Sequence, residues 1–302
     1  MKPCQVVAKC CCGCPTCGRK EAEGMAPMLR WWSLLTLWVA VRWLLPFVPV
    51  PTWLLGVAAL VALLLSVAWL LWLAKEAGRL WEPRHALLGG VIALLAWVGL
   101  MRLLPMLKSS FWLGLGMAVR DGCLLTGALL LGTAGASLIR HANLLPPIAV
   151  VVTVMDIWTV LLGGFVHQVQ QKAPKVVEAA SVAVPLPAVA TKTASIALPL
   201  VGVGDWFFAA FFFALLWRFR LNWRASYWLA TLLVALVLAG LALRVAWLPL
   251  ALPGLPFLAL AVLLPNWRSF RYTAEEKRAL AVGALFLLLL LALFTYAARQ
   301  VR

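Results

Sequence analysis

The stretch IALPLVGVGDWFFAAFFFALLW, residues 196–217, decides the fold class of this chain. As a helix it is long enough to cross the hydrocarbon core of a lipid bilayer, which is about 30 Å thick. Its single ionisable side chain is Asp205, and a carboxylate at such depth is costly enough to indicate a functional site. The stretch therefore predicts a membrane-spanning segment that carries part of that site.

The rest of the chain has the same apolar character. Of 302 residues, 65% are hydrophobic and 12% charged, and the mean hydropathy is +0.99, which is far outside the range of an average soluble domain. We therefore expect an all-α polytopic membrane protein that is integral to the bilayer. About nine segments are predicted to span it, at residues 31–49, 53–73, 86–105, 112–139, 146–166, 196–217, 225–247, 250–265 and 280–298.

The net charge of +16 does not indicate nucleic-acid binding, because the basic residues are spread between apolar segments instead of forming one soluble patch. In short loops they report orientation, since cytoplasmic loops are rich in Lys and Arg. The N-terminal tail and the loops after the second, sixth and eighth segments are basic, which predicts a cytoplasmic N-terminus. The loop at 167–195 is discordant, because it carries lysines on the side predicted to face out.

Four regions follow from this pattern. Residues 1–30 are predicted to be a disordered, basic, Cys-rich cytoplasmic tail, and 31–139 the N-terminal membrane helices. Residues 146–265 are predicted to be a catalytic core with a polar loop at 167–195, and 266–302 a loop plus an extra C-terminal helix. Within the fourth segment, Asp121 is expected at the N-terminus of a helix that starts near Gly122, where a negative charge is favoured.

A second carboxylate, Asp156, lies in the middle of the segment at 146–166. At about 1.5 Å per residue, Asp156 lies ~15 Å and Asp205 ~14 Å from opposite membrane faces. Both depths are close to the midplane, and consecutive antiparallel segments are usually neighbours. The register therefore predicts that the two carboxyl groups face each other.

Two facing carboxyl groups are equipped for peptide hydrolysis without a cofactor. They share one proton, because both cannot ionise easily at one site. The ionised member can take a proton from water, and the protonated member can donate to the carbonyl oxygen of the peptide. Asp156 and Asp205 are therefore the candidate catalytic residues.

Two glycine-containing elements accompany the aspartates. Gly202 and Gly204 allow another backbone to come close and let the helix loosen locally. The run Ala251 to Pro256 holds two prolines and a glycine, which interrupt a regular helix and leave backbone groups free to line a site. Without the aspartates, this run would be interpreted as a simple turn between two spans.

In these residues the chain resembles the presenilin and signal peptide peptidase superfamily of intramembrane aspartyl proteases. Three elements carry the resemblance: Val154-Met155-Asp156, Gly202-Val203-Gly204-Asp205 and Pro253-Gly254-Leu255. The stretch from Phe213 to Phe219 is also similar to the end of the second catalytic helix in signal peptide peptidases. Met155 stands where the family usually has Tyr, and Gly254 where it usually has Ala. Four segments precede Asp156, where the family usually has five helices before its first catalytic one.

The resemblance implies a presenilin-like bundle with Asp156 and Asp205 as the catalytic pair. It implies that Pro253, Gly254 and Leu255 support the site, next to Met155, Gly202, Val203 and Gly204. It also implies membrane helices or signal-peptide remnants as substrates. Relatives of the presenilin branch need accessory subunits and those of the peptidase branch do not, so this chain's need for them stays open.

Three other interpretations remain. Prepilin peptidases also use a GxGD motif with a second aspartate, and many carry a Cys-rich zinc element. A proton-coupled transporter also buries carboxylates, but it often shows internal repeats, which the sequence lacks. The chain could also be a scaffold that binds helices without cutting them.

The N-terminal cysteines form half of a thiolate metal pattern, Cys11-x2-Cys14-x2-Cys17, with Cys4 or a neighbour as a possible fourth ligand. The pattern has no second CxxC pair and no histidine nearby. A thiol-bearing tail without a metal is therefore the favoured interpretation.

Overall fold

The computed structural model of the chain describes residues 15–51, 54–106, 109–161, 181–183, 188–189, 200–242 and 253–300. Within these residues it has nine α-helices, and each overlaps one of the nine predicted segments. They are α1 (Pro15–Leu44), α2 (Leu55–Leu80), α3 (Pro83–Leu103), α4 (Ser110–Gly135), α5 (Leu145–Leu161), α6 (Val203–Arg218), α7 (Trp223–Ala242), α8 (Leu255–Leu263) and α9 (Ala274–Gln300).

Four of the described helical stretches are long and apolar enough to cross a membrane. Their mean hydropathy lies between 1.4 and 2.5, and they cover Gly56–Leu80, Pro83–Met106, Phe111–Leu138 and Ala142–Val160. These lengths and compositions support the expectation of a helical membrane protein. The count of nine spans stays a prediction, because α6 and α8 are shorter than a full crossing.

Helix α6 lies at the centre of the bundle. Small residues on α2 and α4 let these two helices approach it closely. A β-carbon on Gly78 of α2 would lie 2.6 Å from the α-carbon of Ala214. A β-carbon on Gly132 of α4 would overlap the carbonyl oxygen of Phe207. Close approach through small residues is a common way to pack membrane helices, since lipid offers no hydrophobic driving force between them.

The helices arrange the molecule between two faces, which we name after α6. The Asp205 face is the one where α6 begins, and the Arg218 face is the one where it ends. Helix α4 runs parallel to α6, since Gly132 packs on Phe207 and Arg218 donates to the carbonyl oxygens of Ala136 and Ser137 at 3.1 and 2.9 Å.

Helix α1 runs the opposite way to α4. Its end meets the start of α4, where the rings of Trp43 and Phe111 are 4.9 Å apart. The end of α1 and the start of α4 therefore lie together on the Asp205 face.

Two short sheets lie on the Asp205 face. Strand β1 (Pro49–Val50), which follows α1, pairs in parallel with β3 (Ala188–Val189). Strand β2 (Ser181–Ala183) pairs antiparallel with β4 (Leu200–Gly202), which leads into α6. These pairings bring the exit of α1 and the segment between α5 and α6 to the same face, as expected if each intervening helix crosses the bundle once.

Helix α4 differs from the expectation at Asp121. The predicted helix start near Gly122 is wrong, because α4 continues without interruption from Ser110 to Gly135. Asp121 lies in its middle with no exposed surface, and Arg120 donates to its carboxylate at 2.7 Å. An ion pair makes a carboxylate tolerable inside an apolar bundle, so a helix terminus is not needed to stabilise it.

The N-terminal tail also differs from the expectation. The composition predicts a disordered tail over residues 1–30, whereas α1 begins at Pro15 and includes residues 15–30. Proline suits the first turn of a helix, and the Lys, Glu and Ala residues that follow favour helix formation. Cys11 and Cys14 lie outside the described residues, as does most of the loop at 167–195.

Candidate functional site

Asp205 lies in the first turn of α6, directly after strand β4. The apolar run predicts a membrane-spanning helix over residues 196–217, but residues 200–202 form a strand and the helix begins at Val203. Pairing with β2 satisfies the backbone of this segment, and Gly202 and Gly204 have low helix propensity. The backbone N–H of Gly202 donates to the Asp205 carboxylate, which folds the side chain back toward the start of the helix.

Asp156 reaches the same place from α5. It lies eleven residues after Leu145, where α5 begins, and its side chain is half-buried. Its Oδ2 atom accepts a hydrogen bond from the backbone N–H of Leu255 at 3.0 Å. Met155, its neighbour, is 39% exposed on the surface of the bundle.

The element at 253–255 lies between the two carboxyl groups. Leu255 N–H bonds to Asp156, and a β-carbon on the preceding residue, Gly254, would lie 3.0 Å from Oδ1 of Asp205. The dimensions of one residue then place these two carboxyl oxygens within about 9 Å of each other. The two carboxylates also interact electrostatically. The structure thus brings together all three elements that the sequence singled out.

Helix α8 is fixed at both ends, which holds the element at 253–255 in place. Pro253 is buried before its first turn, and Pro256 occupies that turn. Beyond its last turn, Asn266 is 2% exposed and accepts a hydrogen bond at 2.7 Å from the backbone N–H of Asn222, in the turn between α6 and α7. Asn266 also donates to Ser226 on α7 at 3.1 Å. Sequence reasoning missed Asn266, although an asparagine next to an apolar run was an available signal.

An apolar cavity of about 350 Å³ adjoins the start of α6. Val203, Gly204 and Phe207 form one wall, Gly204 is exposed, and a β-carbon on Gly204 would contact nothing within 4 Å. The opposite walls come from α3 and α4, through Leu94, Trp97, Leu124, Ala128 and Leu131. Sequence reasoning did not find this cavity, because its walls come from three separate helices.

The remaining candidate site is the cysteine pattern in the tail. Of its three residues, only Cys17 lies on described backbone, within α1. Among the described residues, no group of three or more His, Cys, Asp or Glu side chains is placed to hold a metal ion. The metal hypothesis for Cys11, Cys14 and Cys17 therefore stays a prediction.

Comparisons of the chain with protein-family models, with curated proteins and with solved structures find no match. The function of the chain is therefore inferred from the geometry of the site and from the motifs that it contains.

Proposed function

We propose that this chain is an intramembrane aspartyl protease that hydrolyses peptide bonds within membrane helices or signal-peptide remnants. The observation that carries the proposal is the convergence of Asp156 and Asp205 on residues 253–255, from three helices of an apolar bundle. Carboxylates are costly inside such an apolar bundle, and two of them at one backbone element are hard to explain by packing alone.

In the proposed reaction, the two carboxyl groups hold one proton between them. The ionised group accepts a proton from a water molecule, and that water attacks the carbonyl carbon of the scissile peptide. The protonated group donates to the carbonyl oxygen as the tetrahedral intermediate forms. The Leu255 N–H fixes Asp156, and the Gly202 N–H fixes Asp205, so neither carboxyl group has to reorganise during the reaction.

The surroundings of the carboxyl pair also suit a membrane-helix substrate. Strand β4 is extended backbone that ends three residues before Asp205, and an extended backbone can pair with an unwound peptide. The cavity beside Gly204 has apolar walls, which suit the side chains of a membrane helix. A substrate segment that unwinds beside β4 would therefore present its peptide bond close to the carboxyl pair.

The test is cleavage of a fluorescent membrane-helix substrate by the purified protein in liposomes. Wild type is compared with Asp156→Asn and Asp205→Asn, which keep the side-chain size and remove the acid. The matched control is Glu82→Gln, because the Glu82 side chain is 80% exposed between α2 and α3. Each protein is checked for helix content and for monodisperse behaviour in detergent.

We expect cleavage by wild type and Glu82→Gln, and none by either aspartate variant. Cleavage that persists in Asp156→Asn or Asp205→Asn would contradict the proposed mechanism. A folded wild type that binds membrane helices but cuts none would favour the transporter or scaffold interpretation. Cleavage restricted to a site at the membrane surface would favour the prepilin-peptidase interpretation.

A further inference from the structure

Three charged side chains meet between α1 and α4, apart from the proposed catalytic pair. Asp121 is fully buried, and its Oδ1 accepts hydrogen bonds from Nε and Nη2 of Arg120 at 3.0 and 2.7 Å. Its Oδ2 accepts from Nη2 of Arg42 on α1 at 3.5 Å. These three residues form the arginine cluster, and sequence reasoning assigned it no role.

The arginine cluster carries more positive charge than negative charge. Arginine stays protonated in proteins, so Arg42 and Arg120 bring two positive charges to the one carboxylate of Asp121. Arg42 Nε is buried and has no hydrogen-bond partner among the described residues. Arg120 Nη1 contacts the sulfur of Met101 at 3.9 Å, and a thioether is a weak acceptor. The cluster therefore has spare donors and a spare charge in apolar surroundings.

Arg42 is the member of the arginine cluster that lies nearest the membrane surface. Arg42 lies in the last turn of α1, on the Asp205 face, and its side chain is 15% exposed. The next residue, Trp43, packs edge-to-face on Phe47 and Phe111, and Phe111 packs on Trp112. Trp residues such as Trp43 and Trp112 concentrate at the level of the lipid headgroups. Arginine side chains also extend toward that level from within the bilayer.

We propose that Arg42, oriented by Asp121, binds the phosphate of a membrane-lipid headgroup. The planar guanidinium matches the geometry of phosphate oxygens, and the second arginine adds to the attraction. The single carboxylate of Asp121 cannot balance both arginines, so the cluster keeps a net positive charge for the phosphate. Three aromatic residues nearby offer apolar surface to the acyl chains of the same lipid: Phe47, Phe111 and Trp112 are 60, 46 and 57% exposed.

The experiment measures lipid binding to the delipidated protein in detergent, by native mass spectrometry and by the shift in Tm. The probes are a short-chain phosphatidylglycerol, a diacylglycerol with the same chains, and inorganic phosphate. Arg42→Gln is compared with Arg102→Gln, because Arg102 is an exposed arginine in the last turn of α3. Arg42→Lys keeps the positive charge but lacks the planar guanidinium group.

We expect phosphatidylglycerol to bind wild type and to raise its Tm, because a ligand that binds the folded state stabilises it. Arg42→Gln should bind about tenfold more weakly or worse, as expected for loss of a charge-assisted hydrogen bond. Arg102→Gln should bind like wild type. Arg42→Lys should bind with intermediate affinity, which tests the proposal even where Arg42→Gln does not fold.

Three outcomes would overturn this proposal. The first is equal binding by wild type and a folded Arg42→Gln, and the second is an equal loss of binding in Arg102→Gln. The third is binding of the diacylglycerol, or of inorganic phosphate alone, as tight as that of phosphatidylglycerol. All of these results are independent of whether the protein cleaves a peptide.

Discussion

A β-carbon placed on Gly254 would lie 3.0 Å from Oδ1 of Asp205 and 3.1 Å from its Cγ. Carbon atoms in favourable contact are about 3.5–4.0 Å apart, so the present position of the Asp205 carboxyl group requires a residue without a side chain at 254. The glycine thus sets how closely α8 approaches the start of α6.

The first prediction concerns substitution of Gly254. Gly254→Ala should displace the Asp205 carboxyl group by a few tenths of an ångström and lower the cleavage rate by up to about tenfold. Gly254→Val should displace it further and lower the rate at least ~100-fold, as misplacement of a catalytic group by about 1 Å does. The measurement is the initial rate of substrate cleavage in liposomes.

The control for this series is Gly99→Ala on α3, where a β-carbon would contact nothing within 4 Å. It should cleave at the wild-type rate. Full activity in Gly254→Val, in a protein with normal helix content, would show that the contact between position 254 and Asp205 has no role in the reaction.

The sequence predicts the location of each helix because apolar runs separated by polar or Pro-containing segments leave few alternatives in a membrane protein. It does not predict where α6 begins. Residues 200–202 are as apolar as the helix that follows, and their strand conformation comes from pairing with 181–183, about twenty residues earlier in the chain. The composition of residues 200–202 and their neighbours does not indicate that pairing.

The same limit applies to the site. The motifs identify Asp156, Asp205 and the element at 253–255 because each one is unusual within an apolar run. The contact between Gly254 and Asp205 depends on how α8 packs beside α6, and the cavity at Gly204 depends on α3 and α4. Such contacts follow from helix packing, which the spacing of residues along one segment does not determine.

The second prediction concerns the packing of α4 on α6. Gly132→Ala would place a β-carbon against the backbone carbonyl oxygen of Phe207 and 3.2 Å from the backbone N of Phe211. Backbone atoms cannot rotate away, so the two helices must separate. We expect the free energy of unfolding to fall by about 1–3 kcal/mol, as for overpacked cores. It is measured by titration with a denaturing detergent and monitored by circular dichroism.

Gly283→Ala on α9 is the matched control, since a β-carbon there would contact nothing within 4 Å. Its stability should be unchanged or slightly higher, because alanine is the better helix former. Equal stability of Gly132→Ala and Gly283→Ala would mean that α4 and α6 do not pack as closely as described.

The third prediction concerns the polar contacts beyond the end of α8. Asn266→Leu removes the acceptor for the Asn222 N–H and the donor to Ser226, whose side chain is fully buried. A buried polar group that loses its partner costs about 1–3 kcal/mol. We therefore expect a loss of that order in the free energy of unfolding, together with slower substrate cleavage, because α8 positions the element at 253–255.

The double variant Asn266→Leu with Ser226→Ala separates these effects. In the Asn266→Leu protein the buried Ser226 hydroxyl has lost its partner. Ser226→Ala removes that hydroxyl, so the double variant should be more stable than Asn266→Leu alone. If the loss of stability in the double variant, relative to wild type, equals the sum of the losses in the two single variants, the two side chains do not interact.

The fourth prediction concerns Asp121, which separates the positive charges of Arg42 and Arg120. Asp121→Asn removes the charge that both arginines contact, and it leaves two cations close together in an apolar bundle. Breaking a buried ion pair from one side typically costs about 3–5 kcal/mol, so we expect a loss of stability of that order. The double variant Asp121→Asn with Arg120→Met removes one cation as well and should recover part of that loss.

The matched control is Glu82→Gln, which removes a carboxylate from the exposed contact with His85. It should leave stability unchanged, because exposed pairs contribute little. If Asp121→Asn is as stable as Glu82→Gln, the carboxylate is not the group that makes the two arginines tolerable, and the charge balance of the arginine cluster must come from elsewhere.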